Sequence, residues 1–139
     1  MSRINLGRVV IGGLLAGLIV DISESILNGI VLAQDLGAAM QALNRPPIDT
    51  QMIIWFVLLG FGLGIAAVWL YAAIRPRFGP GVTTAVISGL AVWFFAYLYA
   101  GITIGIMNLF PARVMVVSTL WGLPEIVIAS IAGAWLYQE

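Results

Sequence analysis

Residues 6–32 read LGRVVIGGLLAGLIVDISESILNGIVL, and this stretch decides the fold. It is longer than the roughly 20 apolar residues a helix needs to cross the hydrocarbon of a bilayer. Yet its second half carries two acids, Asp21 and Glu24. An ionisable group inside a membrane costs about 2.5–3.5 kcal/mol on insertion scales, so such a residue is a functional-site candidate by default. Val31-Leu32-Ala33 offers a weak signal-peptide cleavage site, but the apolar stretch is too long for a signal peptide and contains two acids, so it reads as a retained first span.

Working outward, three more apolar segments follow at residues 52–74, 81–106 and 113–136. The 139-residue chain is 62% hydrophobic and 9% charged, with a mean hydropathy of +1.09, whereas a soluble domain carries about 25% charged residues. Lipid cannot pair backbone N–H and C=O groups, so spanning segments of this kind form helices. The expected architecture is all-α: a single polytopic domain over residues 1–139, built as a four-transmembrane-helix bundle. Trp55, Trp69, Trp135, Tyr71 and Tyr137 cluster near span ends as interfacial anchors, and Trp93 and Trp121 lie deeper, facing neighbouring helices.

Composition removes many functions. Zero net charge leaves no basic surface for nucleic acid. No Cys means no disulfide, thiolate metal site or Cys nucleophile, and no His removes the commonest metal ligand and general base. Lys is absent too, which excludes Schiff-base chemistry. No metal site and no catalytic residues are expected, and the chain reads as non-enzymatic. The five Trp and six Phe are able to line a bound lipid, quinone or pigment, but no ligand residue indicates a cofactor, and aromatics in membrane helices more often serve packing.

All six cations are Arg, each at or beyond a span end. Arg3, Arg8, Arg75 and Arg77 fall on one side, Arg45 and Arg113 on the other, and the bias places both termini in the cytoplasm. The loop at residues 34–51 is the long one. Asp35 reads as the N-cap of a short interfacial helix that Pro46 and Pro47 terminate. The loop running from Arg75-Pro76-Arg77-Phe78 to Gly79-Pro80-Gly81 reads as a tight turn.

An internal repeat runs through the chain. Ile65-Ala66-Ala67-Val68-Trp69-Leu70-Tyr71 matches Ile131-Ala132-Gly133-Ala134-Trp135-Leu136-Tyr137, and Val10-Ile11-Gly12-Gly13-Leu14 echoes Val86-Ile87-Ser88-Gly89-Leu90. Two like-oriented helical hairpins related by an axis along the membrane normal would produce it; so would chance in low-complexity apolar sequence.

Helix faces locate the polar interior. Gly13, Gly17, Asp21, Glu24 and Asn28 share an arc of roughly 80°. Ser118, Gly122, Glu125, Ala129 and Gly133 form a similar stripe in the fourth span, and Gly60, Gly64 and Ala67 in the second. Gly13, Gly17, Gly60 and Gly64 are read as packing glycines that let helices approach closely. Pro124, just before Glu125, cannot donate to the Leu120 carbonyl and is expected to kink the fourth helix.

Asp21, Glu24, Asn28 and Glu125 are therefore the candidate site. With no internal cation, the three acids cannot all be ionised in a dry bundle. Three readings remain open: structural hydrogen bonding; proton or cation handling with carbonyl and amide oxygens; and recognition of a ligand or of a partner's Arg.

The junction from Trp69 to Gly81, the Asn44-Arg45-Pro46-Pro47 loop and the Trp121-Gly122-Leu123-Pro124-Glu125 segment together resemble those of small bacterial four-helix membrane proteins of no established activity. That resemblance implies a bacterial inner-membrane location. In size and first-helix Glu the chain is also similar to the small multidrug resistance transporters, a physical likeness without a shared motif run. Two functions are expected, the first from the large share of its surface that a chain of this size exposes to lipid and the second from the carboxylates. The first is a structural or accessory subunit, in lipid with other membrane subunits or with itself. The alternative is a small proton- or cation-coupled transporter or channel using the intramembrane carboxylates.

Overall fold

The computed structural model describes residues 3–138. Among them there are helices and no strand. Helix α1 (Leu6–Ile26) continues as a π-helical turn (Leu27–Val31); α2 is short (Ala33–Ala42); α3 (Thr50–Phe78) is the longest. Next come α4 (Val82–Trp93), a second π-helical segment (Phe94–Tyr99) and α5 (Ala100–Ile106), which together make one span. Helix α6 (Ala112–Leu136) is last. Four units, Leu6–Val31, Thr50–Phe78, Val82–Ile106 and Ala112–Leu136, are long and apolar enough to cross a membrane. The chain is a four-helix membrane bundle.

Helix α1 has an exposed side and a buried side. On α1, Leu14, Leu18, Ile22 and Ile26 are exposed at every fourth residue, while Gly12, Gly13, Ala16, Gly17 and Val20 are buried. Membrane helices gain little from hiding apolar surface against one another, so close backbone approach carries the association. The packing glycines provide it. A Cβ on Gly64 would fall onto the Gly17 nitrogen and the Gly13 carbonyl, and one on Gly13 would stand 2.5 Å from the Ile65 Cα. Helix α1 thus packs on α3 through Gly13, Gly17 and Gly64, and on α6 where Gly12 meets Gly133.

Several boundaries differ from the sequence reading. The second span runs through Arg75-Pro76-Arg77-Phe78 rather than ending at Ile74, because Pro76 forfeits one hydrogen bond in the last turns while its N–H-less ring remains inside the helix. The turn is reduced to Gly79, Pro80 and Gly81. Gly79 (φ 83°) and Gly81 (φ 121°) occupy the left-handed half of backbone space that only glycine enters freely. Asp35 is not an N-cap: α2 begins at Ala33 without a side-chain cap, and Asp35 lies in its first turn, 3.4 Å from the Arg113 guanidinium. Asn44 (φ 53°) closes α2; its N–H returns to the Gln41 carbonyl and that of Arg45 to the Met40 carbonyl, the paired bonds of a Schellman stop. Helix α6 passes through Pro124 and continues to Leu136.

The repeat has a structural counterpart. In the alignment that sets Val10 against Val86, Asn5 falls against Gly81 and Gly12 against Ser88. In the one that sets Ile65 against Ile131, Ala67 falls against Gly133 and Tyr71 against Tyr137. The Asn5 N–H donates to the Tyr137 hydroxyl at 3.2 Å, and the Gly81 N–H donates to the Tyr71 hydroxyl at 3.2 Å. The two Tyr rings meet edge to face, centroids 6.0 Å apart. Gly12 abuts the Gly133 carbonyl, and its counterpart Ser88 donates to the Ala67 carbonyl at 2.7 Å. Two hairpins of like orientation, α1–α3 and α4–α6, therefore sit about an axis near Tyr71 and Tyr137. Asn5 and Tyr137 lie at this end of the bundle; α2 and the Asp35–Arg113 pair lie at the other.

Candidate functional site

The packing is asymmetric along the axis. Toward the termini, Val9, Ala16, Val20, Ala67, Val68, Tyr71, Ala72, Ala85, Ile126 and Ala129 form one continuous core. Toward α2, a smaller cluster of Leu27, Leu32 and Val114 holds α1 to α6 alone, with Leu36, Phe110, Val117 and Trp121 against it. The acids sit where one regime gives way to the other, close to both π-helical segments. Such segments carry an extra residue per turn, re-aim side chains and are frequent at functional sites.

Among the described residues Glu125 is the most enclosed acid, at 5% exposure. Its Oε2 accepts a 2.6 Å hydrogen bond from the Tyr97 hydroxyl. Tyr97 projects from the second π-helical segment, and its ring occupies the space a side chain at Gly122 would take. From α1, Glu24 and Ser23 stand beside the Glu125 carboxyl. The Asn28 amide donates to Glu24 Oε2 at 2.8 Å and to the Glu24 carbonyl at 3.0 Å. Ser23 accepts from Trp121 Nε1 at 2.9 Å, which fixes α1 against α6 beside the acids. Trp93 Nε1 donates to the Thr119 carbonyl at 2.8 Å, fixing α4 against the same stretch of α6.

The structure divides the sequence candidates. Glu24, Asn28 and Glu125 converge. Asp21 turns instead toward α3, where its carboxyl rests against the Gly60 backbone in the space a Cβ there would fill. Gly60 is thus a packing glycine with a second consequence: it admits a carboxyl. Asp21 Oδ2 and Glu125 Oε1 are both buried atoms without a hydrogen-bond partner among the described residues. Asp21 also borders a shallow groove with Ile22, Ser25, Ile26 and Ile30.

Tyr97 was missed by sequence reasoning. The apolar run around it gives no periodic signal, because the π-helical segment breaks the 3.6-residue spacing on which face assignment depends. The available clue was Gly122: a small residue one turn before a buried acid leaves room for a large polar side chain from a neighbouring helix. No group of three or more acids among the described residues is placed to hold a metal ion. The chemistry open to the cluster is hydrogen bonding, proton sharing and binding of a single small cation. Compared with known proteins, the chain matches no family model, no curated protein and no solved structure.

Proposed function

We propose that the chain is a non-enzymatic integral membrane protein that serves as a structural or accessory subunit, in a larger membrane complex or in an assembly of its own copies. One observation carries this reading. In the α2-end half of α3, Ile53, Ile54, Trp55, Phe56, Leu58 and Leu59 are all exposed; at ~100° per residue they cover the entire circumference of the helix. Nothing in the second π-helical segment or in α5 is buried either. Two of the four spans therefore leave their α2-end halves largely uncovered by the chain itself, and neighbouring helices are suited to fill that space. The bonds of Asn28 to Glu24 and of Tyr97 to Glu125 support the same reading, since the second ties the third span to α6. Native mass spectrometry from membranes tests it. Co-purifying subunits or a defined homo-oligomer are expected; a lone monomer released directly from the bilayer would reject it.

The resemblance to small bacterial four-helix membrane proteins supports a bacterial inner membrane, and the Arg bias supports cytoplasmic termini. Single Cys residues placed at Gln41 and Gln138 test the orientation against a background free of native Cys: the first should label from the periplasm and the second only after the cytoplasmic face is opened. The transporter reading is favoured by one contact, that of Glu24 with Glu125. In liposomes, Glu125→Gln should then abolish proton-coupled flux and leave assembly intact.

A further inference from the structure

Two carboxyls side by side, Glu24 and Glu125, with no cationic side chain at their depth, cannot both stay bare carboxylates. Coulomb repulsion between two bare carboxylates grows as the surrounding dielectric falls, and each also loses its hydration. The groups that face Glu125 are known from each helix packed on it. Glu24 and Ser23 come from α1 and Tyr97 from the third span; Asp21 is diverted to Gly60 of α3. The Arg residues are confined to the span ends. Tyr97, Asn28 and Trp121 supply three neutral donors, of which Tyr97 satisfies one Glu125 oxygen and Asn28 one Glu24 oxygen, while Trp121 satisfies Ser23. Glu125 Oε1 is left buried with no donor, in a side chain that is itself 5% exposed. The network lacks one partner, at Glu125 Oε1.

We propose that the Glu24–Glu125 pair is a binding site for a single exchangeable monovalent cation, either a proton bridging the two carboxyls or a dehydrated sodium ion in its place. The exchange is balanced. A bridging proton leaves the pair with one net negative charge; when a sodium ion enters, that proton departs to solvent, both groups are carboxylates, and the net charge is unchanged. Ser23 Oγ and the carboxyl oxygens are hard donors of the kind such an ion takes. The inference requires neither transport nor a partner subunit, so it stands or falls independently of the readings above.

Infrared difference spectroscopy of the full chain in liposomes, in sodium-free choline buffer at neutral pH, reads the protonated carboxyl C=O band directly. One band is expected, lost in both Glu24→Gln and Glu125→Gln and retained in Asp21→Asn. Adding sodium chloride distinguishes the occupants: loss of the band with release of one proton per chain assigns sodium, and a band indifferent to sodium assigns the proton alone. Absence of the band in sodium-free buffer, or its survival in both Gln variants, overturns the site. Should Glu125→Gln fail to fold, Glu24→Gln, at a less enclosed position, gives the same reading.

Discussion

At the scale of single residues, glycines decide how near the helices come, and neighbouring glycines differ sharply in what they do. Gly62 and Gly64 lie on the same helix. A Cβ at Gly64 would strike the α1 backbone, whereas one at Gly62 meets nothing within 4 Å. Backbone cannot yield as a flexible side chain can, so Gly64→Ala should destabilise the bundle by about 1–3 kcal/mol. Gly62→Ala should be neutral or stabilise by up to about 1 kcal/mol, through helix propensity alone. Unfolding in mixed micelles compares the two directly, and equal effects would reject the α1–α3 contact. Gly122 belongs to a third kind, since its missing side chain is replaced by the Tyr97 ring. The sequence made the acids and the packing glycines legible because both are anomalies in an apolar helix. It did not pair them. Asp21 and Glu24 share one stripe, but small differences of angle send the first to α3 and the second to α6.

At the scale of elements, helix ends follow capping chemistry more closely than hydropathy. Hydropathy placed the four spans and nearly all of their limits; it stopped short at Pro76, because a proline in the last turns of a helix costs little when water or headgroups can take the freed carbonyl. The π-helical segments were invisible for a related reason: they alter hydrogen-bond pattern, not composition. Two acids at the α2 end show how capping separates residues of similar charge. Asp49 is the N-cap of α3, its Oδ1 accepting from the Met52 N–H at 2.9 Å. Asp35 faces Arg113 across 3.4 Å in a pair whose side chains are 31% and 62% exposed. Loss of a cap typically costs about 0.5–2 kcal/mol, and an exposed ion pair contributes about 0–1 kcal/mol. Asp49→Ala should therefore lower stability more than Asp35→Asn, with fraying at the start of α3 visible as faster amide exchange at residues 50–53. The reverse order would mean that α2 is anchored mainly by its charge.

At the scale of the whole molecule, a near-twofold frame carries a site that is not twofold. The Tyr71 and Tyr137 hydroxyls accept equivalent backbone bonds at the same end of the bundle, and Gly12 and Ser88 meet equivalent points on α6 and α3. Yet in the same alignments Glu24 stands against Ala100 and Glu125 against Leu59, so the polar cluster has no counterpart in the other half. The symmetry is a property of the large core toward Tyr71 and Tyr137; the acids lie where that core gives way to the smaller cluster. This division makes a quantitative prediction. Phe at either Tyr position keeps the ring contact, and at Tyr137 it keeps the Arg75 guanidinium 5.7 Å over the ring, so Tyr71→Phe and Tyr137→Phe each remove one hydrogen bond and little else. Interhelical bonds of this type in membranes contribute about 0.6–2 kcal/mol. The two variants should lose similar amounts within that range, measured by reversible unfolding in mixed micelles, and neither should alter the carboxyl C=O band of the Glu24–Glu125 pair. A large loss at one Tyr and none at the other would show that the repeat is a likeness of sequence without an energetic counterpart. A shifted carboxyl band would show that the two ends of the bundle are coupled, and that the acid cluster senses packing at the far end of the spans.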